Sequence, residues 1–253
     1  MTAGWSLRQV PAALPEADCP LDADLGDLLA SGALGPAPSD LAGFEAAFVR
    51  TVEAAHSDRD RAWDAFYDAT LSRVQAGWGQ GTGTGTVASF SRIWARAATL
   101  ARGTSVLDVG TCFGFLPLAW AGRPGAPGLL AADLSPACAS LLARQAHRLG
   151  RDVGVLCADG TKLPLRDRSV DTVLALHVLE HVRPPVASLL LAEALRVARR
   201  RVVVAVPVEP VPDVLYGHLQ VFDLARLAAV GRRTGWRLSL SDADGAWLVL
   251  DRP

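Results

Sequence analysis

Ser105-Val106-Leu107-Asp108-Val109-Gly110-Thr111-Cys112-Phe113-Gly114 decides how the rest of this chain is read. It begins as a short apolar run entered from Arg102-Gly103-Thr104, the signature of a buried strand in a parallel sheet. Asp108 stands at the carboxyl end of that strand, where open α/β sheets bind ligands. Gly110 and Gly114 let the backbone turn sharply and come close to a ligand, since no Cβ intervenes. A carboxylate at that point suits a ligand with a cationic amino group and repels a pyrophosphate. The G-x-G-x-x-G of a nicotinamide- or flavin-binding turn would need glycine at positions 112 and 115, which are Cys112 and Phe115.

From Ser105 onward the pattern alternates strand and helix. Strands are expected at Ser105–Val109, Gly128–Ala132, Val153–Cys157, Val170–Leu176, Arg201–Val206, Arg237–Ser241 and Ala246–Leu250. Helices are expected at Phe115–Ala121, Pro136–Leu149, Pro185–Ala198 and Asp223–Thr234. Crossover helices between strands imply a mostly parallel, doubly wound sheet. Only Asp242–Gly245 separates the last two strands, too little for a crossover, so they should form an antiparallel hairpin. The fold class expected is therefore α/β, a seven-stranded, mostly parallel Rossmann-like sheet with an antiparallel terminal hairpin and an N-terminal helical cap.

Two units are expected, residues 1–86 and 87–253. The first begins as a Pro-rich arm to about Pro38, with one short helix near Leu21–Ala30. Ser39 or Asp40 can cap a helix that runs to about His56, and a second spans about Asp58–Gln75. Gly77-Trp78-Gly79-Gln80-Gly81-Thr82-Gly83-Thr84-Gly85-Thr86 cannot be a stable helix or a central strand. It reads either as a flexible connection or as a mobile lid over a ligand. A helix from Val87 to Arg102 leads into the first strand.

Half of the 253 residues are hydrophobic and the net charge is −1. No overall field draws the chain to nucleic acid, and no basic patch with interleaved aromatics is present, so no nucleic-acid partner is expected. Cys19, Cys112, Cys138 and Cys157 match no zinc spacing and no C-x-x-C pair. Residues 1–20 show no basic segment followed by an apolar one, and no apolar run is long enough to span a bilayer. A cytoplasmic protein is expected, with no membrane span.

Asp108, Asp133 and Asp159 each follow a strand end. Singly, each is an ordinary turn or capping residue. In register with three successive strands they form one acidic edge: Asp133 can accept from a ribose diol, and Asp159-Gly160 can face an adenine amine. With these residues the chain resembles the class I S-adenosylmethionine-dependent methyltransferases. Val106-Leu107-Asp108-Val109-Gly110, with Gly114, looks like their first motif. Ala132-Asp133-Leu134-Ser135 resembles the ribose motif, and Ala158-Asp159-Gly160 with Leu163-Pro164-Leu165 the adenine motif. Val170-Asp171-Thr172-Val173 into His177-Val178-Leu179-Glu180-His181-Val182 is similar to their fourth strand and the segment after it. The resemblance implies S-adenosyl-L-methionine as cofactor, bound by Asp108, Gly110, Gly114, Asp133, Leu134, Asp159, Gly160 and His177. One position departs: the usual middle glycine of the first motif is Cys112, whose side chain would crowd the methionine end of the cofactor. Aminopropyl transfer and ligand sensing without catalysis remain open on the same fold.

An oxygen acceptor gains from a base. His218 and His181 are the catalytic candidates, with His177, Glu209 and Asp213 nearby in the sequence pattern. Glu209 and Asp213 can bind sugar hydroxyls, but read more simply as solvated loop charges. His177-x-x-Glu180-His181 fits an inverted zinc-protease pattern, but that needs both histidines on one helical face. His177 closes an apolar strand and Pro184-Pro185 follows, so no metal is expected. No Asn-Pro-Pro-Tyr-like run follows the fourth strand, which leaves a hydroxyl of a small molecule or glycan as acceptor. The first motif, the Gly/Thr string and Tyr216-Gly217-His218 also resemble the actinobacterial methyltransferases that act on the mycofactocin oligosaccharide. That resemblance implies O-methylation of a glucose hydroxyl. A natural-product or quinone-like hydroxyl is the alternative.

Overall fold

The computed structural model describes residues 22–80 and 83–253. The arm before Asp22, including Cys19, and Gly81-Thr82 lie outside the described residues. The seven strands are β1 (Ser105–Val109), β2 (Gly128–Asp133), β3 (Val153–Cys157), β4 (Val170–Leu176), β5 (Ala198–Val206), β6 (Arg237–Asp242) and β7 (Ala246–Asp251). Their order in the sheet is β3-β2-β1-β4-β5-β7-β6. The first five pair in parallel, while β7 runs antiparallel to both β5 and β6. β4 is buried throughout, with Asp171 and Thr172 enclosed along with its apolar residues, as a central strand covered on both faces requires.

Strand order reverses at β1 and β4. One crossover series runs outward from β1 through α5 (Phe115–Ala121) and α6 (Pro136–Arg148), the other through α7 (Pro184–Val197). This switch point leaves a crevice above the carboxyl ends of β1 and β4. Each helix starts where its sequence allows. Gly114 adopts the left-handed conformation before α5, Ser135 caps α6, and Asp223 caps α8 (Leu224–Arg232). β5 begins at Ala198, three residues earlier than expected, so α7 passes directly into it. Arg199 and Arg200 are thereby carried onto the buried carboxylate of Asp171, at 2.8 and 3.1 Å.

The preceding helices are α1 (Leu25–Ala30), α2 (Leu41–Ala54), α3 (Arg59–Gly77) and α4 (Thr86–Leu100). Gly77 closes α3 rather than opening the connection, because it lets α3 approach Ser91 of α4. Asp24 and Asp27 of the α1 region cap α4: Asp24 accepts from Val87 N–H, and Asp27 accepts from both the N–H and the hydroxyl of Thr86. Gly85, at φ +89°, leaves room for the Asp24 carboxylate, which a Cβ would meet at 2.7 Å. The described end of the Gly/Thr string is therefore anchored to α1.

α2 and α3 pack on the turn after β1 through Phe48, Trp63, Phe66 and Tyr67, which surround Phe113 and Phe115. The buried Tyr67 hydroxyl donates to the Phe113 carbonyl at 2.7 Å. Tyr67→Phe should cost about 1–3 kcal/mol, because the carbonyl loses its donor in a dry site. A thermal melt showing no shift would mean that water replaces the hydroxyl.

Candidate functional site

The parallel order β3-β2-β1 brings Asp159, Asp133 and Asp108 to neighbouring positions along one edge of the crevice. Asp108 is 6% exposed and accepts a hydrogen bond from Thr111 Oγ1 at 2.8 Å. Burial, reinforced by the nearby Asp133 charge, pushes its carboxyl up to about 7 despite the Thr111 hydrogen bond. Asp133 accepts from Cys112 N–H at 2.7 Å through one oxygen and from Ser135 N–H at 2.8 Å through the other. Asp159 is exposed and closes a turn onto Thr161 N–H and Oγ1, which hold its carboxyl below the ordinary value. Leu134 projects 70% exposed beside this edge.

Gly110 sits at φ +72°, and a Cβ there would meet Val178 at 2.6 Å. Gly114 sits at φ +71°, and a Cβ would meet Leu142 at 2.3 Å. Gly160 packs against Val109, which a Cβ would meet at 2.9 Å. Cys112 keeps the backbone that the absent middle glycine would have, at φ +51°. A side chain in that conformation costs roughly 1–2 kcal/mol. Cys112→Gly should therefore tighten cofactor binding several-fold by opening the turn, readable by calorimetry. Unchanged or weaker affinity would show that the thiol itself makes a favourable contact.

A second group lies beyond β4. His177, at φ +54°, directs Nδ1 to 3.3 Å from Glu180 Oε1 and sets its ring against Phe90. Leu179–His181 form a single 3-10 turn. Tertiary hydrogen bonds join this turn to the segment before α8: Leu219 N–H donates to Glu180 O at 2.7 Å, and Gln220 Nε2 donates to Leu179 O and Val182 O. The two catalytic candidates thereby become neighbours, with the His181 and His218 rings edge-to-face at 4.8 Å. Burial holds His181 below the ordinary histidine value, against the opposing pull of Glu180.

His218 Nδ1 lies 2.7 Å from Glu209 Oε1, so Glu209 is a partner of the ring and not the solvated loop charge expected of it. The reason is tertiary: the loop after β5 folds back, and both side chains are largely enclosed. Asp213 instead binds locally, accepting from Leu215 N–H through its side chain and from His218 N–H through its carbonyl. In the sequence Glu180 stood within the segment after the fourth strand and within a zinc-protease spacing, with no role of its own. The structure makes it a buried carboxylate, 1% exposed, with neither oxygen hydrogen-bonded. An open cleft of about 480 Å³, lined by Thr86, Ser89, Phe90, His177, Pro207 and Val208 among others, runs up to this group. The start of α2 closes over its far side, where Leu41 packs on Gly217 and Phe44 on Tyr216.

Residues 107–206 match the profile of the methyltransferase domain family. No curated protein sequence matches the chain. Among solved structures, an S-adenosylmethionine-dependent methyltransferase from Aquifex aeolicus is similar with a TM-score of 0.51 at 20% identity, over 62% of this chain and 87% of that one. The magnesium protoporphyrin IX methyltransferase of Synechocystis, with S-adenosylhomocysteine bound, gives 0.51 at 16% identity, over 78% and 100%. The [4+2]-cyclase SpnF gives 0.58 at 19% identity, over 74% and 93%. These likenesses are of fold. No helix among the described residues is long and apolar enough to cross a membrane. The profile match spans β1 through β5 of this fold, so residues 107–206 form the part of the chain that resembles a methyltransferase domain.

Proposed function

We propose that the protein transfers a methyl group from S-adenosylmethionine to a hydroxyl oxygen of a small molecule or glycan. The pairing of His218 with Glu209, beside His181 and across the crevice from the acidic edge, carries this reading. The described residues suit the cofactor. The buried Asp108 carboxyl, bonded among the described residues only to Thr111, suits an ammonium group, and Gly110 and Gly114 open the backbone beside it. Asp133 with Leu134 would hold the ribose and adenine. Asp159 and Gly160 would face the adenine edge, and His177 would border the methionine end. The cofactor supplies a methyl group already activated on a sulfonium, so the protein's main work is proximity and orientation.

In this reading Glu209 holds Nδ1–H of His218, leaving the other ring nitrogen free to take the acceptor proton. His181 orients the hydroxyl. A glucose of the mycofactocin oligosaccharide is the specific acceptor we favour, from the resemblance of Tyr216-Gly217-His218 and the first motif to methyltransferases of that oligosaccharide. Labelled methyl incorporation from S-adenosylmethionine into glucosylated peptide extracts tests it. Incorporation on carbohydrate oxygen supports the reading, and incorporation on nitrogen or carbon overturns it. One observation favours a less polar hydroxyl compound. Val208, Val211, Val214 and Leu219 stand more than half exposed on the loop that carries Glu209 and His218. Methylation of a quinol-like compound in place of sugars would select that acceptor.

A further inference from the structure

We propose that Glu180, His181 and His218 bind a divalent first-row transition ion, with Glu209 fixing His218 from behind. One ligand atom from each of the three residues lies within 4.8 Å of the others. An ion bound at about 2.0–2.2 Å needs its ligands roughly 3–3.5 Å apart, so small side-chain rotations complete the site. Two imidazoles and one carboxylate suit zinc, iron, cobalt or manganese better than magnesium or calcium, which prefer oxygen.

The independent observation is Glu180. Both of its oxygens are buried without a hydrogen bond in a residue only 1% exposed. A carboxylate so placed needs a counter-charge. His177 leans on Oε1 at 3.3 Å, which leaves Oε2 for an ion. Glu209 Oε1 accepts from His218 Nδ1 at 2.7 Å, and Nε2 then keeps its lone pair for the metal. A carboxylate behind a ligating histidine is the usual outer-shell support of such sites. The H-x-x-E-H spacing would pair His177 with His181, whereas the 3-10 turn sets His177 beside Glu180 and brings the third candidate ligand, His218, from the segment before α8.

This inference rests on the O-methyl reading and refines it. Three protein ligands leave positions for two neighbouring oxygens of an acceptor, so the substrate class becomes a vicinal diol, as on a sugar. Coordination makes the hydroxyl acidic, and its proton passes to solvent. The oxygen then bonds the methyl carbon, and the carbon–sulfur bond breaks with its electron pair left on sulfur. His218 serves here as a ligand, and the ion takes over the base's task.

The test uses the full chain stripped with a chelator and titrated with Co²⁺, followed by visible d–d absorption and melting temperature. One equivalent should bind with nitrogen-and-oxygen spectra, Zn²⁺ should displace it, and the melting temperature should rise. Glu180→Gln and His218→Ala should each weaken Co²⁺ binding at least ~100-fold, and Glu209→Gln by about 10–100-fold. Glu180→Gln removes a buried charge at constant shape, so the metal-free variant should melt no lower than wild type. A fold defect is thereby told apart from a lost ligand. Absent Co²⁺, Zn²⁺ and Mn²⁺ binding, or binding untouched by these variants, overturns the site. Hydroxyl methylation undiminished in excess chelator overturns its role and leaves the O-methyl reading standing. Cobalt binding without methylation of any hydroxyl supports the site and overturns the O-methyl reading alone.

Discussion

His218→Ala is expected to lower turnover roughly 10²–10⁴-fold while leaving S-adenosylmethionine affinity unchanged. The separation follows from topology. Asp108, Asp133 and Asp159 come from β1, β2 and the turn after β3, whereas His218 belongs to the segment joining β5 to α8. Whether His218 takes the proton itself or ligates an ion that acidifies the hydroxyl, removing the ring removes activation of the acceptor. Glu209→Gln should give a smaller loss, because an amide can still contact Nδ1 but cannot hold the developing charge. The measurement pairs steady-state turnover with calorimetric titration of the cofactor. Full turnover in His218→Ala would dismiss the whole group beyond β4 as structural, and lost cofactor binding would put His218 on the other side of the crevice.

Asp108→Asn should weaken S-adenosylmethionine binding by one to two orders of magnitude, since a buried charge-assisted contact is worth roughly 1.5–3 kcal/mol. It should also abolish a pH dependence present in the wild type. The Asp108 carboxyl stands at about 7 in the folded protein, against an ordinary value of 3.8. Below 7 it is protonated and cannot pair with an ammonium group, so affinity should climb as pH rises from 5.5 to 7, by up to about tenfold per unit. It should level off above 7 and fall again as the ligand's own ammonium, near 7.7–8, deprotonates. Binding near pH 6.5 should therefore release a proton, visible as a buffer-dependent enthalpy. Folding stability takes the opposite sign. The folded state holds this proton more tightly than the unfolded chain, so stability contributed by Asp108 is greatest below pH 4 and declines as pH rises to 7. Asp108→Asn should consequently be at least as stable as wild type at pH 8. A flat wild-type affinity profile would mean that the ammonium group lies elsewhere.

The seven strands and their order of appearance were legible because each is a short apolar run bounded by glycine, proline or a charge. β1, β3 and β4 match expectation to the residue. The terminal hairpin was legible from the four-residue gap Asp242–Gly245, too short for a crossover, a limit set by chain reach. Boundaries failed where no local signal existed: nothing in Ala198-Arg199-Arg200 announces that Asp171 will pull the arginines into strand geometry. The acidic edge was visible because strand ends repeat in sequence what a parallel sheet repeats in space.

The sequence by itself determined the parallel sheet and the acidic edge of the crevice, since these depend on local periodicity and on residues within one β–turn–α unit. Only the tertiary structure decided what stands opposite. Glu180, His181, Glu209 and His218 converge because backbone hydrogen bonds from Leu219 and side-chain bonds from Gln220 tie two distant segments together. No pattern within either segment encodes that pairing. The burial that makes Asp108 a weak acid and leaves Glu180 without a hydrogen bond likewise comes from neighbours far along the chain, because desolvation is a property of the packed surroundings.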